Sequence, residues 1–194
     1  MTQPNEIPFV QPRRRDRAIE DRTWIRDLLT RSPVGNLATV GPDGPSINPN
    51  LFVLDPEADV IYLHTARRGR TRTNVESRNS VAFCVSEMGR LLPAESAMEF
   101  SAEFSSVILE GTSRVIEDPT EASRALDLLM HKYAPHLEPG RDYRGVSSSD
   151  LSKTTVFRVD IERWTGKGKT SDASDAYEYS TSRSCPWPAR RPSS

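Results

Sequence analysis

The stretch of sequence 32–66 most constrains the fold, because short apolar segments alternate in it with closely spaced turn residues. It reads "SPVGNLATVGPDGPSINPNLFVLDPEADVIYLHTA", with Pro, Gly and Asp concentrated at 42–45 and 56–59. These residues favour tight turns, and the segments between them are short enough to be strands joined by hairpins. We therefore predict three strands here, arranged as an antiparallel meander.

Apolar residues recur at helical intervals on both sides of this β-rich region. One amphipathic helix is predicted at 20–31 and another at 118–135, where Pro119 stands near the first turn and acidic residues follow. A shorter helix is predicted at 70–79. The order along the chain is therefore helix, several strands, helix and strand.

The remaining apolar segments are predicted to be strands. They lie at 80–88, at 101–118 and at 153–167, and a longer loop is predicted at 89–100. Segment 101–118 is either one long strand or a pair bent around Gly111. Short strands with few helices indicate a β-barrel decorated by helices, because closure protects the edges of sheets that are built from hairpins.

Length and composition divide the chain into one domain and two tails. A chain of 194 residues suits a single domain with a real core. Residues 1–15 are rich in Pro, Gln and Arg and are predicted to form an extended arm. Residues 169–194 have no apolar periodicity and are predicted to form a flexible tail, which leaves 16–168 as the domain.

The charge balance and the cysteines limit the partners and the compartment that we expect. The net charge is -1, so nucleic acid is not an expected partner. A run of about eighteen apolar residues is missing, and so is an apolar core before the N-terminal arginines, so neither a membrane helix nor a secretory signal is expected. Cys84 lies in an apolar strand pattern and Cys185 in the predicted tail. We therefore expect no disulfide and a reducing cytoplasm.

Several familiar motifs are missing from the sequence. His64, His131 and His136 form no HxxxH or HExxH pattern and the cysteines lack ligand spacing, so no metal is expected. The Gly-Lys-Thr in "WTGKGKTS" lacks the first glycine of a phosphate-binding P-loop. Neither the Rossmann glycine pattern nor a nucleophile elbow occurs.

Four arginines gather around one glycine in "VIYLHTARRGRTRTNV", directly after an apolar strand. A strand that leads through Gly69 into the start of a helix is a workable phosphate site. Backbone N–H groups and the helix dipole favour an anion there, and arginines can bind oxygens in pairs. The alternative is a solvated, arginine-rich turn.

His64 stands near the end of the same strand. If the strand alternates regularly, the side chain of His64 points to the face opposite that of Leu63. A histidine at such a place is either a hydrogen-bonded structural residue or a catalytic one. The residues alone leave both interpretations open.

Five segments occur in the order seen in one family of flavin-binding proteins. They are "RRRDRAIED", "GNLATVGPDGPSINPNLFVL", "VIYLHTARRGRTRTNV", "SSVILEGTSRVIED" and "FRVDIERWTGK". The chain resembles the pyridoxamine 5'-phosphate oxidase-like split-barrel family over 13–167, and most closely its nitroimidazole-resistance (Nim) branch. The resemblance implies a mainly β fold, a six-stranded antiparallel split barrel with flanking helices, which forms a homodimer with FMN at the subunit interface.

The resemblance also implies a set of site residues. His64 matches the histidine regarded as the active-site residue of the Nim branch, and two strands would flank the flavin ring. An arginine-rich segment would hold the phosphate. The residues implied to bind the cofactor are Asn48, Pro49, His64, Thr65, Arg67, Arg70, Arg72, Asn74, Ser105, Ser106, Trp164 and Lys167.

One position departs from the family pattern. Many relatives have Gly-His-Lys where this chain has Gly69, Arg70 and Thr71. Arginine presents a planar fork where lysine presents a point charge, so the anion would be held differently.

The resemblance favours a flavin-dependent reductase that passes electrons to a nitroaromatic, 5-nitroimidazole-like or related small acceptor. A non-enzymatic binder of flavin, deazaflavin or haem is the main alternative, for storage or sensing. Pyridoxamine phosphate oxidase-like activity and a barrel with no cofactor stay open as well, because one fold hosts many functions.

Overall fold

The structure is a computed structural model that describes residues 7–179, and strands dominate it. Seven strands occur among these residues. They are β1 Gly35–Gly41, β2 Gly44–Asn50, β3 Phe52–Asp55, β4 Val60–Ala66, β5 Ser80–Leu92, β6 Ser101–Val115 and β7 Thr154–Lys169.

Helices lie before β1, between β4 and β5, and between β6 and β7. Two of the longer ones begin at aspartate N-caps, since Asp21 and Asp118 each accept two backbone N–H groups of the first turn. A fourth, short helix starts in a capping box formed by Ser147 and Asp150, and the sequence analysis did not predict it. The helices are α1 Arg22–Arg31, α2 Arg70–Ser77, α3 Pro119–Tyr133 and α4 Ser148–Lys153, preceded by a 3-10 turn at Arg15–Arg17.

The strands form one antiparallel sheet in the order β2-β1-β5-β6-β7-β4-β3. β2 and β3 end this order and do not pair with each other, so the sheet is not closed by hydrogen bonds. The fold is thus mainly β with flanking helices, consistent with a split barrel.

The prediction of six strands was wrong, because the region before α2 holds four strands and not three. The extra break lies at Leu51, where the chain changes partner. β2 pairs with β1, whereas β3 pairs with β4. Asn48, Pro49 and Asn50 stand directly before this point, but they are not part of a hairpin turn, so their presence did not predict two strands.

Two predicted strand ends were too early, and the predicted loop 89–100 was therefore too long. β5 continues to Leu92 through a register shift between Met88 and Leu91. β7 extends to Lys169. β6 is a single strand with a register shift at Gly111, so the first of the two predicted alternatives, one long strand, is the one observed.

Residues before α1 cover part of the edge of β7. β4 pairs with β7 only as far as Asp160. Beyond that point, residues N-terminal to α1 form the hydrogen bonds with β7 instead. The N–H of Val10 donates to the carbonyl of Trp164 at 2.8 Å, and the N–H of Ile19 donates to that of Gly166 at 3.0 Å. The division of the chain into an arm, a domain and a tail, at 15 and 168, stays a prediction. Cys185, which was placed in the predicted tail, lies outside the described residues.

Two apolar clusters fill the two sides of the sheet. α1 packs on the larger one, in which the rings of Phe52 and Phe83 meet edge to face at 4.8 Å. α3 packs on the smaller one, against the other face of β3, β4 and β7. The outward face of β2, β1, β5 and β6 is less covered, since Ile47 is 70 % exposed and Ile108 is 41 % exposed.

No helix among residues 7–179 is both long enough and apolar enough to cross a membrane.

Candidate functional site

The arginine-rich segment lies between the end of β4 and the first turn of α2. β4 ends at Ala66, and α2 begins at Arg70 directly after Gly69. No side chain caps the helix start, so its first N–H groups are not satisfied by a capping residue. This is the local arrangement that favours an anion.

Two side-chain hydrogen bonds fix α2 against the sheet. Asn48 of β2 donates to Thr71 at 2.9 Å, and the buried Asn74 donates to Thr39 of β1 at 2.9 Å. A Cβ at Gly41 would lie 1.8 Å from the Oδ1 of Asn74, so only glycine allows this close packing. Asn48 and Asn74, both predicted to bind the cofactor, therefore hold the helix in position.

Arg70 reaches back to the β1–β2 hairpin. Its Nη2 donates to the carbonyl of Asp43 at 3.2 Å and to that of Pro45 at 3.4 Å. The guanidinium thus links the start of α2 to the hairpin, where the sequence analysis expected it to face a phosphate.

Arg67 and Arg72 contact the junction of α4 and β7. Nη1 of Arg67 donates to the carbonyl of Ser152 at 2.5 Å. Nε of Arg72 donates to Glu76 at 2.7 Å, and its Nη1 donates to the hydroxyl of Thr155 at 3.4 Å. Both guanidinium groups keep N–H donors that these bonds do not use.

Arg68 differs from its three neighbours. Its side chain is exposed and makes no hydrogen bond or ion pair with any residue in 7–179. It was not among the predicted cofactor residues, and nothing in the sequence separates it from the other arginines. A surface depression of about 410 Å³ opens beside it, lined by Arg67, Arg68, Gly69, Arg72, Thr73 and Glu76.

Thr65 is linked to this depression through the register of the sheet, whereas His64, at the adjacent position of β4, does not line it. Thr65 pairs with Thr155, the residue that Arg72 contacts, and His64 pairs with Val156. The imidazole is exposed on one side, and partial desolvation by the protein lowers the pKa of His64 below its ordinary value. His64 is therefore mostly neutral at pH 7.

The other predicted cofactor residues form a second group at the far end of β7. Ser106 pairs with Lys167 and Ser105 with Gly168, whereas Thr155 lies at the opposite end of the same strand. Within one chain, the arginine segment and this second group therefore lie at opposite ends of β7 and do not meet. Pro49 is exposed on β2, on the outward side.

Trp164 has a place in the core. Its side chain is only 1 % exposed, it packs in the larger apolar cluster, and the guanidinium of Arg22 lies 5.0 Å from the ring centre. Trp164 thus supports the sheet from inside. Its role toward a cofactor stays a prediction.

The donor set suits an organic anion. Within residues 7–179 no three His, Cys, Asp or Glu side chains lie together in a way that would hold a metal ion. The segment from β4 to α2 offers instead unused guanidinium donors and the open N-terminus of α2. These groups fit the phosphate of a flavin nucleotide.

The chain matches the sequence model described as pyridoxamine 5'-phosphate oxidase over residues 21–168. It belongs to this family. No curated protein sequence matches the chain. Membership agrees with the resemblance identified from the five segments.

Solved structures share the fold at low sequence identity. A protein assigned provisionally to 5-nitroimidazole antibiotic resistance in Bacteroides thetaiotaomicron VPI-5482 is 24 % identical, with a TM-score of 0.66 over 78 % of this chain and 86 % of that one. The flavocytochrome Anf3 of Azotobacter vinelandii is 22 % identical, with a TM-score of 0.72 over 93 % and 89 %. The FAD and heme binding protein of Mycobacterium smegmatis is 23 % identical, with a TM-score of 0.71 over 80 % and 74 %.

Proposed function

We propose that the protein is a flavin-dependent oxidoreductase that reduces nitroaromatic compounds, such as 5-nitroimidazoles, or related small acceptors. The observation that carries this proposal is the group of partly unused arginines at the start of α2, directly after β4, the strand that carries His64. Family membership and the flavin-binding neighbours support it. Its place of action would be the cytoplasm.

The arginine segment would hold the flavin through its FMN moiety. Arg68, together with the free donors of Arg67 and Arg72, would bind the phosphate in charge-assisted hydrogen bonds. Arg70, Asn48 and Asn74 would keep α2 and the β1–β2 hairpin in the geometry that this requires. A bound flavin supplies the two electrons of the reduction.

His64 would act on the acceptor. Conversion of a nitro group to a nitroso group and water consumes two electrons and two protons, and a histidine near the acceptor can donate one proton. Desolvation lowers the pKa of His64 below its ordinary value of 6.5, so the imidazolium forms only in mildly acidic solution. Turnover limited by this proton should rise as the pH falls through that range.

The test is a pH–rate profile of the flavin-loaded protein with a nitroimidazole and NAD(P)H. We expect turnover by the wild type to rise below pH 6.5, the ordinary pKa of the imidazole. We expect His64→Gln to lose this rise and about tenfold of its rate or more, with flavin binding unchanged. Equal rates and equal profiles for the two proteins would rule out His64 as the proton donor.

We also propose that the protein works as a homodimer. The arginine segment and the group of Ser105, Ser106 and Lys167 lie at opposite ends of β7, so a second copy is needed to bring them to one flavin. The exposed apolar side chains on the outward face of β1, β2, β5 and β6 offer a surface for that copy.

A non-enzymatic binder is the second candidate. Two structural neighbours are a flavocytochrome and an FAD and heme binding protein, which favours haem over deazaflavin as the alternative ligand. The absorption spectrum of the purified protein separates the candidates, since flavin and haem absorb differently. Pyridoxamine phosphate oxidase-like activity, which the family description raises, is tested by adding pyridoxamine phosphate to the same protein.

A further inference from the structure

A buried threonine at the start of β7 joins two of the arginines. Thr155 is 2 % exposed and pairs with Thr65 of β4. Its hydroxyl group donates to the carbonyl of Arg67 at 3.1 Å and accepts from Nη1 of Arg72 at 3.4 Å. One side chain therefore connects the loop that precedes α2 with the first turn of α2.

The end of α4 holds Arg67 from the same side. The backbone N–H of Arg67 donates to the carbonyl of Lys153 at 3.1 Å, and its Nη1 donates to the carbonyl of Ser152 at 2.5 Å. Thr155 follows Lys153 by two residues, so α4 and β7 support Arg67 together. Of these three contacts, only the hydroxyl of Thr155 belongs to a side chain outside the arginine segment, so a substitution can remove it alone.

The contacts of Arg72 leave one end of its guanidinium group for a ligand. Its Nε donates to Glu76 at 2.7 Å, and its Nη1 is directed to Thr155. Its Nη2 makes no hydrogen bond with any residue in 7–179. An arginine side chain loses rotamer freedom when it binds an anion, so contacts that fix it beforehand favour binding.

We propose that Thr155 is a positioning residue for the anion site. It fixes the backbone of Arg67 and the guanidinium of Arg72 so that their remaining donors meet at the phosphate of the flavin. Thr155 does not itself line the arginine-rich depression, so it acts through the two arginines and not by contact with the ligand. This inference rests on the proposed function, because an anionic flavin must bind at the arginine segment.

The experiment is a titration of the full-length protein with FMN and with riboflavin, which has the same ring system but no phosphate. Thr155→Val keeps the shape of the side chain and removes the hydroxyl group. We expect it to weaken FMN binding about tenfold and to leave riboflavin affinity within about twofold of the wild type. A change in the fold as a whole would weaken both ligands.

Thr154 gives a matched control, because it is the neighbouring threonine and its hydroxyl makes no hydrogen bond with any residue in 7–179. Thr154→Val should bind both ligands as the wild type does. Thr155→Ser and Thr155→Ala form a second pair that differs only in the hydroxyl group. The serine variant should bind FMN about tenfold more tightly than the alanine variant, which keeps the test valid if valine at this position prevents folding.

A double-mutant cycle tests whether Thr155 acts through Arg72. In the Arg72→Ala background, the contact between the two side chains is already lost. Thr155→Val should therefore weaken FMN binding less in this background than in the wild type.

The outcomes separate this inference from the proposed function. FMN affinity that is equal in the wild type and in Thr155→Val would overturn the inference and leave the proposed function intact. Equal losses of FMN and riboflavin affinity would also overturn it, since they would show a general loss of structure. Failure of the wild type to bind FMN and riboflavin would overturn the proposed function and this inference together.

Discussion

The four arginines that follow β4, two before α2 and two in its first turn, look alike in the sequence but have different roles in the structure. Arg70 bonds to carbonyl groups of the β1–β2 hairpin, and Arg67 bonds to the carbonyl of Ser152. Arg68 has no such contact with the described residues. The acceptors lie far away along the chain, so tertiary structure decides which guanidinium is free. Sequence reasoning located the cationic segment but not its free member.

Arg68→Ala, just before α2, should weaken flavin binding more than the loss of an exposed arginine at the other end of the helix. A charge-assisted hydrogen bond contributes about 1.5–3 kcal/mol, so we expect affinity to fall about ten- to a hundredfold. Arg78, at the C-terminal end of α2, is a matched control, and Arg78→Ala should leave the affinity unchanged. Titration of FAD or FMN against the two variants measures this, and equal losses would show a general charge effect.

The position of Trp164 shows how a register shift decides which face of a sheet a side chain occupies. Its implied role toward the cofactor stays a prediction, and its side chain is buried in the larger core cluster. In a long strand such as β7, a register shift changes which face each residue occupies. That shift, between Glu110 and Gly111 on the partner strand β6, cannot be deduced from alternation alone.

At the scale of elements, the turn residues predicted the positions of the hairpins correctly. They did not predict where the chain changes from one paired strand to another. The turns at 42–45 and 56–59 both separate strands in the structure. The break at Leu51 follows Pro49 and Asn50 but contains no hairpin turn, because the chain runs on while its hydrogen-bond partner changes from β1 to β4. Such a break depends on long-range pairing, so these two residues alone do not show that the partner changes there.

The register shift between β6 and β7 occurs at Gly111, and a side chain there should destabilise the fold. A Cβ at this position would lie 2.0 Å from the carbonyl oxygen of Asp160 on β7, which is backbone and cannot move aside alone. We expect Gly111→Ala to lower the free energy of unfolding by about 1–3 kcal/mol, as overpacking with a backbone shift does.

Urea unfolding followed by circular dichroism measures this effect. Gly145→Ala is the matched control, because a Cβ at Gly145 would meet no atom within 4 Å. We expect the control to unfold at the wild-type midpoint. If Gly111→Ala shared that midpoint, the close approach of β6 and β7 would not require glycine.

At the scale of the whole molecule, the class of fold followed from the sequence and the assembly did not. The sequence predicted a mainly β protein with flanking helices from the spacing of its strands and the positions of its helices. The structure has this architecture. The assembly depends instead on what packs against the outward face of the sheet. Ile47 pairs with Ala38 and Ile108 with Cys84, while the alternate neighbours Leu37 and Phe83 point into the core. The sequence pattern does not show what covers this face.

We expect the protein to be a dimer through this face, and the last prediction tests it with one substitution. Ile47 is 70 % exposed in the single chain, so Ile47→Arg should leave the fold intact and place a charge at the centre of the proposed interface. Met98 is 93 % exposed in the β5–β6 connection, and Met98→Arg is the matched control.

Light scattering and flavin titration should give a consistent result for the three proteins. The wild type and Met98→Arg should be dimers at micromolar concentration and bind flavin equally. Ile47→Arg should be monomeric and should also bind flavin more weakly, since Ser105, Ser106 and Lys167 of the second copy would no longer reach the arginine segment of the first. A monomeric wild type with full flavin affinity would exclude a shared site, because each chain would then have to bind the flavin with the arginine end of β7 alone.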